Sequence, residues 1–433
     1  MISYNTTMNI EIKHGRVIDP ANGVDALQDV YIVDGRIAAL GQPPAGFHAD
    51  QVIDANGLVV APGLVDLSAR LREPGYEYKA TLESELDAAI AGGVTSLLCP
   101  PDTDPVLDEP GLVEMLVHRA RSLNQSHVYP LGALTMGLKG KELTEMAELT
   151  EAGCVGFAQA EEPVQDTSVL QRAMQYASTF GYTVWLRPQD PYLGRGGVAH
   201  AGPLASRLGL SGVPVSSETV ALHTVFELMR STGARVHICR ISSAAGIALV
   251  RAARAEGLPV SCDVSAHHIH MTDNDIGFFD PNARLTPPLR SQRDRDAIQT
   301  ALLDSTIDAI CSDHTPLDDE EKLLPFGEAS PGATGLELLL SLAIKWVEDA
   351  AAGASLNAAI ARITCDAARV AGIDAGHLSI GSVADLCVFD PAARWRVEPA
   401  ALRSQGKHTP FLGYELPAQV RYTIVSGRIA FSR

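Results

Sequence analysis

Apolar and polar residues alternate along the first segment of the chain, between turn signals, in GRVIDPANG, DVYIVDGRIAALG and QVIDANGLVVAPG. A period of two puts successive side chains on opposite faces, so these runs predict short strands with one buried face. Asp-Gly at 34 and 35 and the Asn-Gly pairs beginning at 22 and 56 punctuate them with hairpin-type turns. The same grammar returns at the other end, in GSVADLCVFDP and QVRYTIVSGRIAFSR. Residues 1–58 and 370–433 are therefore expected to build one small β-domain, in which the two chain ends meet.

From 59 to 369 the pattern changes: short apolar runs alternate with amphipathic stretches. The candidate strands are LVDLSA, VTSLLCP, HVYPLGAL, CVGFAQA, TVWLRP, RVHICRI, PVSCDVSA and DAICSD. Between them lie helical patterns such as ESELDAAIAGG, SVLQRAMQYASTFG and SSAAGIALVRAARAEG. Eight βα repeats make a closed (β/α)8 barrel, an α/β fold whose chemistry sits at the C-terminal ends of its strands. The glycine-rich stretch LGRGGVAHAGP at 193–203 reads as a loop, because it does not lead from a strand into a helix as a phosphate-binding turn does.

Composition narrows the function classes. At 433 residues with 46% apolar and 20% charged residues, the chain has the make-up of a globular protein with a sizeable core. A net charge of −18 argues against nucleic acid as a partner, since neutralising phosphates needs a basic face. The 7 cysteines are scattered, odd in number and form no C-x-x-C pair, which suits buried thiols in a reducing cytoplasm. MISYNTTMNIEIKHGR lacks the apolar core of a signal peptide, and no apolar run is long enough to span a membrane, so neither a leader nor a membrane association is expected.

Six strings then stand out in order: PGLVDLSARLREPG, GGVTSLLCPPDTDP, SCDVSAHHIHMT, NARLTPPLR, ICSDHTP and KHTPFLGYEL. Together they resemble the type I dihydroorotases of the amidohydrolase superfamily, and the resemblance spans essentially the whole chain. It implies a (β/α)8 barrel of amidohydrolase type with a small β-sandwich built from both termini. It also implies a mouth where one or two zinc ions activate a hydroxide that opens or closes the dihydroorotate ring.

The ligand positions that the resemblance points to are altered. Ser68 and Arg70 stand where the family carries the H-x-H pair, Gln159 where it carries the bridging acid, and Arg187 and Arg240 where histidines end the fifth and sixth strands. Asp313 alone keeps a family ligand. A guanidinium has five donors and no lone pair to offer, and one carboxylate does not hold zinc, so no metal or other cofactor is expected. Among the substrate contacts the resemblance implies, Arg72 is kept, whereas Asp102 and Thr286 replace asparagines and Leu317 replaces a histidine. His267, in the family-typical HH pair, counts among these vestigial substrate contacts, and with His268 and His270 it could also be read as a metal cluster. Ser68 as a nucleophile lacks a base with a sequence claim to the role. His314 reads as a local hydrogen-bonding residue, and DDEEK at 318–322 as a solvated loop.

Three arginines at strand ends are expected to converge near Asp313 and to pair with it, with Asp102 or Glu161, or with a bound anion; drift in an unused site is the alternative. The chain is similar to the inactive dihydroorotase homologue of some bacterial pyrimidine pathways, which associates with the catalytic chain of aspartate carbamoyltransferase in a cytoplasmic hetero-oligomer. A working cyclic amidohydrolase with an altered site, and an anion-sensing regulatory subunit, are the other two readings.

Overall fold

The computed structural model describes residues 8–349 and 353–433. Residues 1–7, which fall in the expected β-domain and in the stretch read as lacking a leader, and residues 350–352 lie outside the described residues.

Strands from both ends of the chain form two sheets. One has four strands, in the order Arg36–Leu40, Val30–Val33, Ile10–Lys13, Gln51–Asp54. The other has six, in the order Arg428–Ser432, Glu415–Val425, Leu386–Arg396, Val59–Pro62, Arg16–Asp19, Val24–Leu27. Their inner faces share one core, in which Ile10, Ile12, Val30 and Ile37 of the first sheet meet Val17, Val60, Leu386, Val388 and Ile424 of the second. This is a sandwich, and Asp34-Gly35 makes its two-residue hairpin turn with both residues left-handed, at φ of 50° and 74°. One boundary differs from the sequence pattern. Val59–Pro62 pairs parallel with Arg16 and Val17 and antiparallel with Leu386–Phe389, so the barrel begins at Leu64 rather than at 59. Gly63 marks the crossing, where a Cβ would strike the Thr95 side chain.

Eight parallel barrel strands follow: β1 Leu64–Asp66, β2 Val94–Cys99, β3 His127–Pro130 continued by Gly132–Ala133, β4 Phe157–Ala158, β5 Thr183–Leu186, β6 Arg235–Ile238, β7 Val260–Ser265 and β8 Ala309–Cys311. Each falls within a predicted apolar run. The amphipathic stretches are helices: Leu82–Ala91 buries Leu82, Leu86, Ala89 and Ile90, and Ala244–Ala255 buries Ile247, Val250 and Ala253. The 3–4 spacing turns those faces onto the strands. Ser243 caps the second of these helices by accepting from Gly246 N at 3.0 Å. Among the described residues no helix is long and apolar enough to cross a membrane.

Closure between β8 and β1 is polar. Ala69 bridges His314, Arg70 N donates to His314 O at 2.9 Å, and His314 N donates to Ser68 O at 3.1 Å. Asp66, fully buried, accepts from Ser312 N at 2.8 Å and from the Ser312 hydroxyl. Burial still pushes its carboxyl up to about 6. Those two bonds are what makes a carboxyl tolerable at the seam, since a buried acceptor without partners is costly. Ser312→Ala is expected to lower stability by about 1–3 kcal/mol, read as a lower urea midpoint; an unchanged midpoint would remove Asp66 from the account of closure.

Candidate functional site at the barrel mouth

The residues beyond the strand ends face one another across the mouth. Arg70 follows β1, Asp102 follows β2, Glu161 follows β4, Arg187 follows β5, Arg240 follows β6 and Asp313 follows β8. Arg240 and Asp313 both hold left-handed backbone, at φ of 54° and 52°. For side chains with a Cβ this is a strained conformation that needs outside support. Arg240 has such support: its backbone N donates to Asp263 Oδ1 at 2.5 Å, while Asp263 Oδ2 pairs with His237 Nε2 at 3.0 Å.

The Glu161 carboxylate is the hub. Its Oε1 receives Arg70 Nη2 at 2.8 Å and Arg240 Nη2 at 2.5 Å. Its Oε2 lies against Arg187 Nε in an ion pair that lacks hydrogen-bond alignment, and Arg187 Nη2 donates to the Glu161 carbonyl at 3.1 Å. Arg70 also donates through Nε to Asp102 Oδ2 at 2.7 Å and through Nη1 to Thr315 Oγ1 at 3.0 Å. Arg240 Nη1 donates to Asp313 Oδ1 at 2.9 Å and to Thr286 O at 3.3 Å. Three guanidinium groups thus meet three carboxylates, and the cluster is formally neutral.

Electrostatics follow this wiring. Burial alone would raise the Glu161 carboxyl, but the charges of Arg187, Arg240 and Arg70 reverse the effect and hold it well below the usual carboxylate range. Burial opposes charge on Arg70 and Arg240 as well, and there Asp102, Glu161 and Asp313 prevail and push both upward. Arg187 is lowered, because burial and repulsion from the other two arginines outweigh its single carboxylate partner.

Other expected residues sit elsewhere. Gln159, 2% exposed, accepts from Thr135 Oγ1 at 3.0 Å and donates to Leu138 O at 2.8 Å, so its amide is consumed by the β3 side of the wall. Ser68 is buried and takes part through its backbone, donating to Asp66 Oδ1 at 3.4 Å and accepting from His314. Arg72 donates through Nε to Pro316 O at 2.9 Å and lies 6.0 Å from the Tyr76 ring centroid. Thr286 contributes its carbonyl, and Leu317 is buried.

His267 departs from the substrate-contact role expected of it. Its ring is fully buried 5.8 Å from the Phe411 ring, and neither nitrogen has a hydrogen-bond partner among the described residues. His268 and His270 likewise turn to carbonyls, of Pro288 at 3.3 Å and Leu342 at 2.9 Å, and form no metal cluster. His314 Nδ1 accepts from Gly335 N at 3.1 Å and Nε2 meets Glu85 Oε2 at 2.6 Å, which makes Nε2 the protonated nitrogen and ties β8 to the helix beginning at Leu82. The most consequential residue, Glu161, appears in the sequence only as one of several partners for the arginines. The signal available for it was a polar AEE run directly after a strand.

The residues present do not fit the zinc centre that the resemblance implies. The carboxylates of the mouth are engaged by guanidinium groups, and among the described residues no three His, Cys, Asp or Glu side chains converge as a metal requires.

Comparison with known proteins agrees with the fold. The L-hydantoinase (dihydropyrimidinase) of Arthrobacter aurescens superposes with a TM-score of 0.88 at 23% identity, over 98% of this chain and 96% of that one. A dihydropyrimidinase from Brevibacillus agri gives 0.81 at 18% identity, over 98% and 95%. The chain has the fold of these proteins. Residues 57–245 match the Dihydro-orotase-like family and residues 216–430 the Amidohydrolase family. A dihydroorotase-like protein of Pseudomonas aeruginosa is 44% identical over 98% of this chain and 99% of its own length, and a dihydroorotase of a Geobacter species is 41% identical over 98% and 99%. This protein belongs to the dihydroorotase-like family.

Two outcomes are expected. Glu161→Gln leaves three guanidinium groups with too little counter-charge and should cost about 3 kcal/mol in urea unfolding, since breaking a buried pair strands the partner charge. Adding Arg187→Met should recover part of that loss, and strictly additive losses would show that the two do not couple. His267 is held neutral by burial, which pushes its pKa down to about 3. The unfolded chain then binds a proton that the folded chain refuses, so the stability from this residue is complete above about pH 6.5 and falls as pH drops toward 3. His267→Leu should flatten the loss of stability between pH 6.5 and 4; an unchanged slope would assign acid sensitivity elsewhere.

Proposed function

We propose that this chain is a catalytically inactive dihydroorotase homologue that serves as a structural and assembly subunit of an aspartate carbamoyltransferase complex in the cytoplasm. One observation carries the inactive half of the reading: Glu161 bridges Arg70, Arg187 and Arg240, three arginines at positions where the family resemblance calls for histidines. Three fixed positive charges there replace the charge of a metal centre without its Lewis acidity or its bound hydroxide. Asp102, the neighbour of Arg72 in the substrate grip implied by the resemblance, is itself committed to Arg70 at 2.7 Å. On this reading zinc is absent and the ion-pair cluster holds the strand ends in its place. The partner and the hetero-oligomer rest on resemblance alone.

The names of relatives about 40% identical favour a second reading, a working cyclic amidohydrolase that hydrolyses L-dihydroorotate to N-carbamoyl-L-aspartate. One set of measurements separates the two. Protein purified without chelator is expected to carry far less than stoichiometric zinc and to show no turnover of dihydroorotate or N-carbamoyl-aspartate. Co-expressed with an aspartate carbamoyltransferase catalytic chain from the same source, it should co-elute in a complex. Stoichiometric zinc with turnover supports the enzyme instead, and separate elution of two folded chains would refute the assembly role.

A further inference from the structure

A second cavity, of about 220 Å3, lies beside the mouth cluster. Arg187, Arg240, Arg284 and Arg290 contribute to its wall, with Glu218, Gln189 and the glycine segment around Gly194–Gly197. Arg187 and Arg240, on which the sequence would rest an anion site, are already answered by Glu161 and Asp313. The other two arginines differ.

Arg284 has no carboxylate within ion-pair distance among the described residues; burial lowers it with nothing opposing. Its Nε is buried without a hydrogen-bond partner among the described residues, and Nη1 reaches Leu285 O, at 3.5 Å. Arg290, 4% exposed, spends its donors on neutral acceptors: Val213 O at 2.7 Å, Ser242 Oγ at 3.2 Å and His200 Nδ1 at 3.3 Å. Glu218 and Asp294 act on it only from beyond ion-pair distance. Glu218 is itself saturated, with Oε2 accepting from Ser242 N at 2.9 Å and Oγ at 2.5 Å and Oε1 accepting from Ser243 N at 3.0 Å and Oγ at 2.5 Å.

An arginine cannot escape burial by losing its proton, and an unpaired buried guanidinium is costly. A buried Arg290 and a half-buried Arg284, neither ion-paired, on one small polar cavity call for counter-charge supplied from outside. Planar guanidinium forks match carboxylate and phosphate oxygens in pairs. We propose that this cavity binds a compact dianion, a dicarboxylate or a phosphate, between Arg284 and Arg290. The site would give the assembly subunit a metabolite input, yet it does not require the assembly reading. Binding is measured on the isolated chain, so loss of the partner interaction and loss of the site are separate results.

Inorganic phosphate and succinate are titrated separately into the full chain by calorimetry at constant ionic strength, with melting temperature followed in parallel. At least one is expected to bind saturably with one-to-one stoichiometry, and whichever binds names the class. Arg284→Gln should weaken that binding about tenfold or more. Gln189→Glu, which sets a carboxylate in the same wall, should abolish it while the chain stays folded, and it decides the matter if the arginine variant does not fold. Failure of both anions to bind saturably, or binding by both variants at wild-type strength, overturns the proposal.

Discussion

The Glu161 carboxylate governs the upper face of this barrel. Three guanidinium groups from three different strands, Arg70, Arg187 and Arg240, close on its two oxygens, and none of them can shed its charge. Remove that anion and the same three side chains become a buried cationic patch that repels itself. Because Asp102 and Asp313 are bound to outer edges of the same arginines, the whole mouth is one electrostatic unit. Its contacts run between β1, β2, β4, β5, β6 and β8, so the cluster ties together strand ends that no backbone ladder joins across the barrel.

Such a unit needs a frame, and the frame lies one layer beneath. Asp263 holds the left-handed Arg240 backbone while pairing with the buried His237, whose ring in turn packs tilted against Trp185 at 4.2 Å. Asp66 and Ser312 fix the β1–β8 seam, and Glu85 with His314 anchors that seam to the first barrel helix. Polar groups at this depth are tolerated because each is matched; half-matched, they would destabilise the mouth more than an apolar filling would.

Strand positions were legible because the apolar period is local: each barrel strand falls in a run visible in the sequence, and Asp34-Gly35 announces its hairpin. The boundary at Val59 was not, since VVAP is as apolar as a barrel strand and only long-range pairing with Arg16–Val17 and Leu386–Phe389 assigns it to the sandwich. At the site, the convergence of the arginines could be anticipated because closure brings successive strand ends together. The carboxylates they meet were all among the expected partners, but which of them would be the hub was not legible. Gln159 and Glu161 are two residues apart, and the turn after β4 directs the amide into hydrogen bonds with Thr135 and Leu138 while Glu161 takes the centre. His267 illustrates the opposite limit: a polar ring in a histidine-rich string lies buried against Phe411, where packing decides its role.

On the proposed reading, the cluster also accounts for how a barrel could leave metal chemistry without losing its fold. A metal centre supplies a fixed positive charge that neutralises carboxylates and crosslinks strand ends, and an arginine at a ligand position supplies both of those without the open coordination site. The exchange is interlocked. Histidines placed at 70, 187 and 240 would leave Glu161, Asp102 and Asp313 facing one another without cations, and a metal would then have to bind before the mouth could tolerate its own carboxylates. Each arginine in place makes the return of any single histidine costlier, because the carboxylates have been recruited to guanidinium geometry. A site in this condition is held by its mutual pairings, and on the proposed reading selection on the fold alone would suffice to keep it.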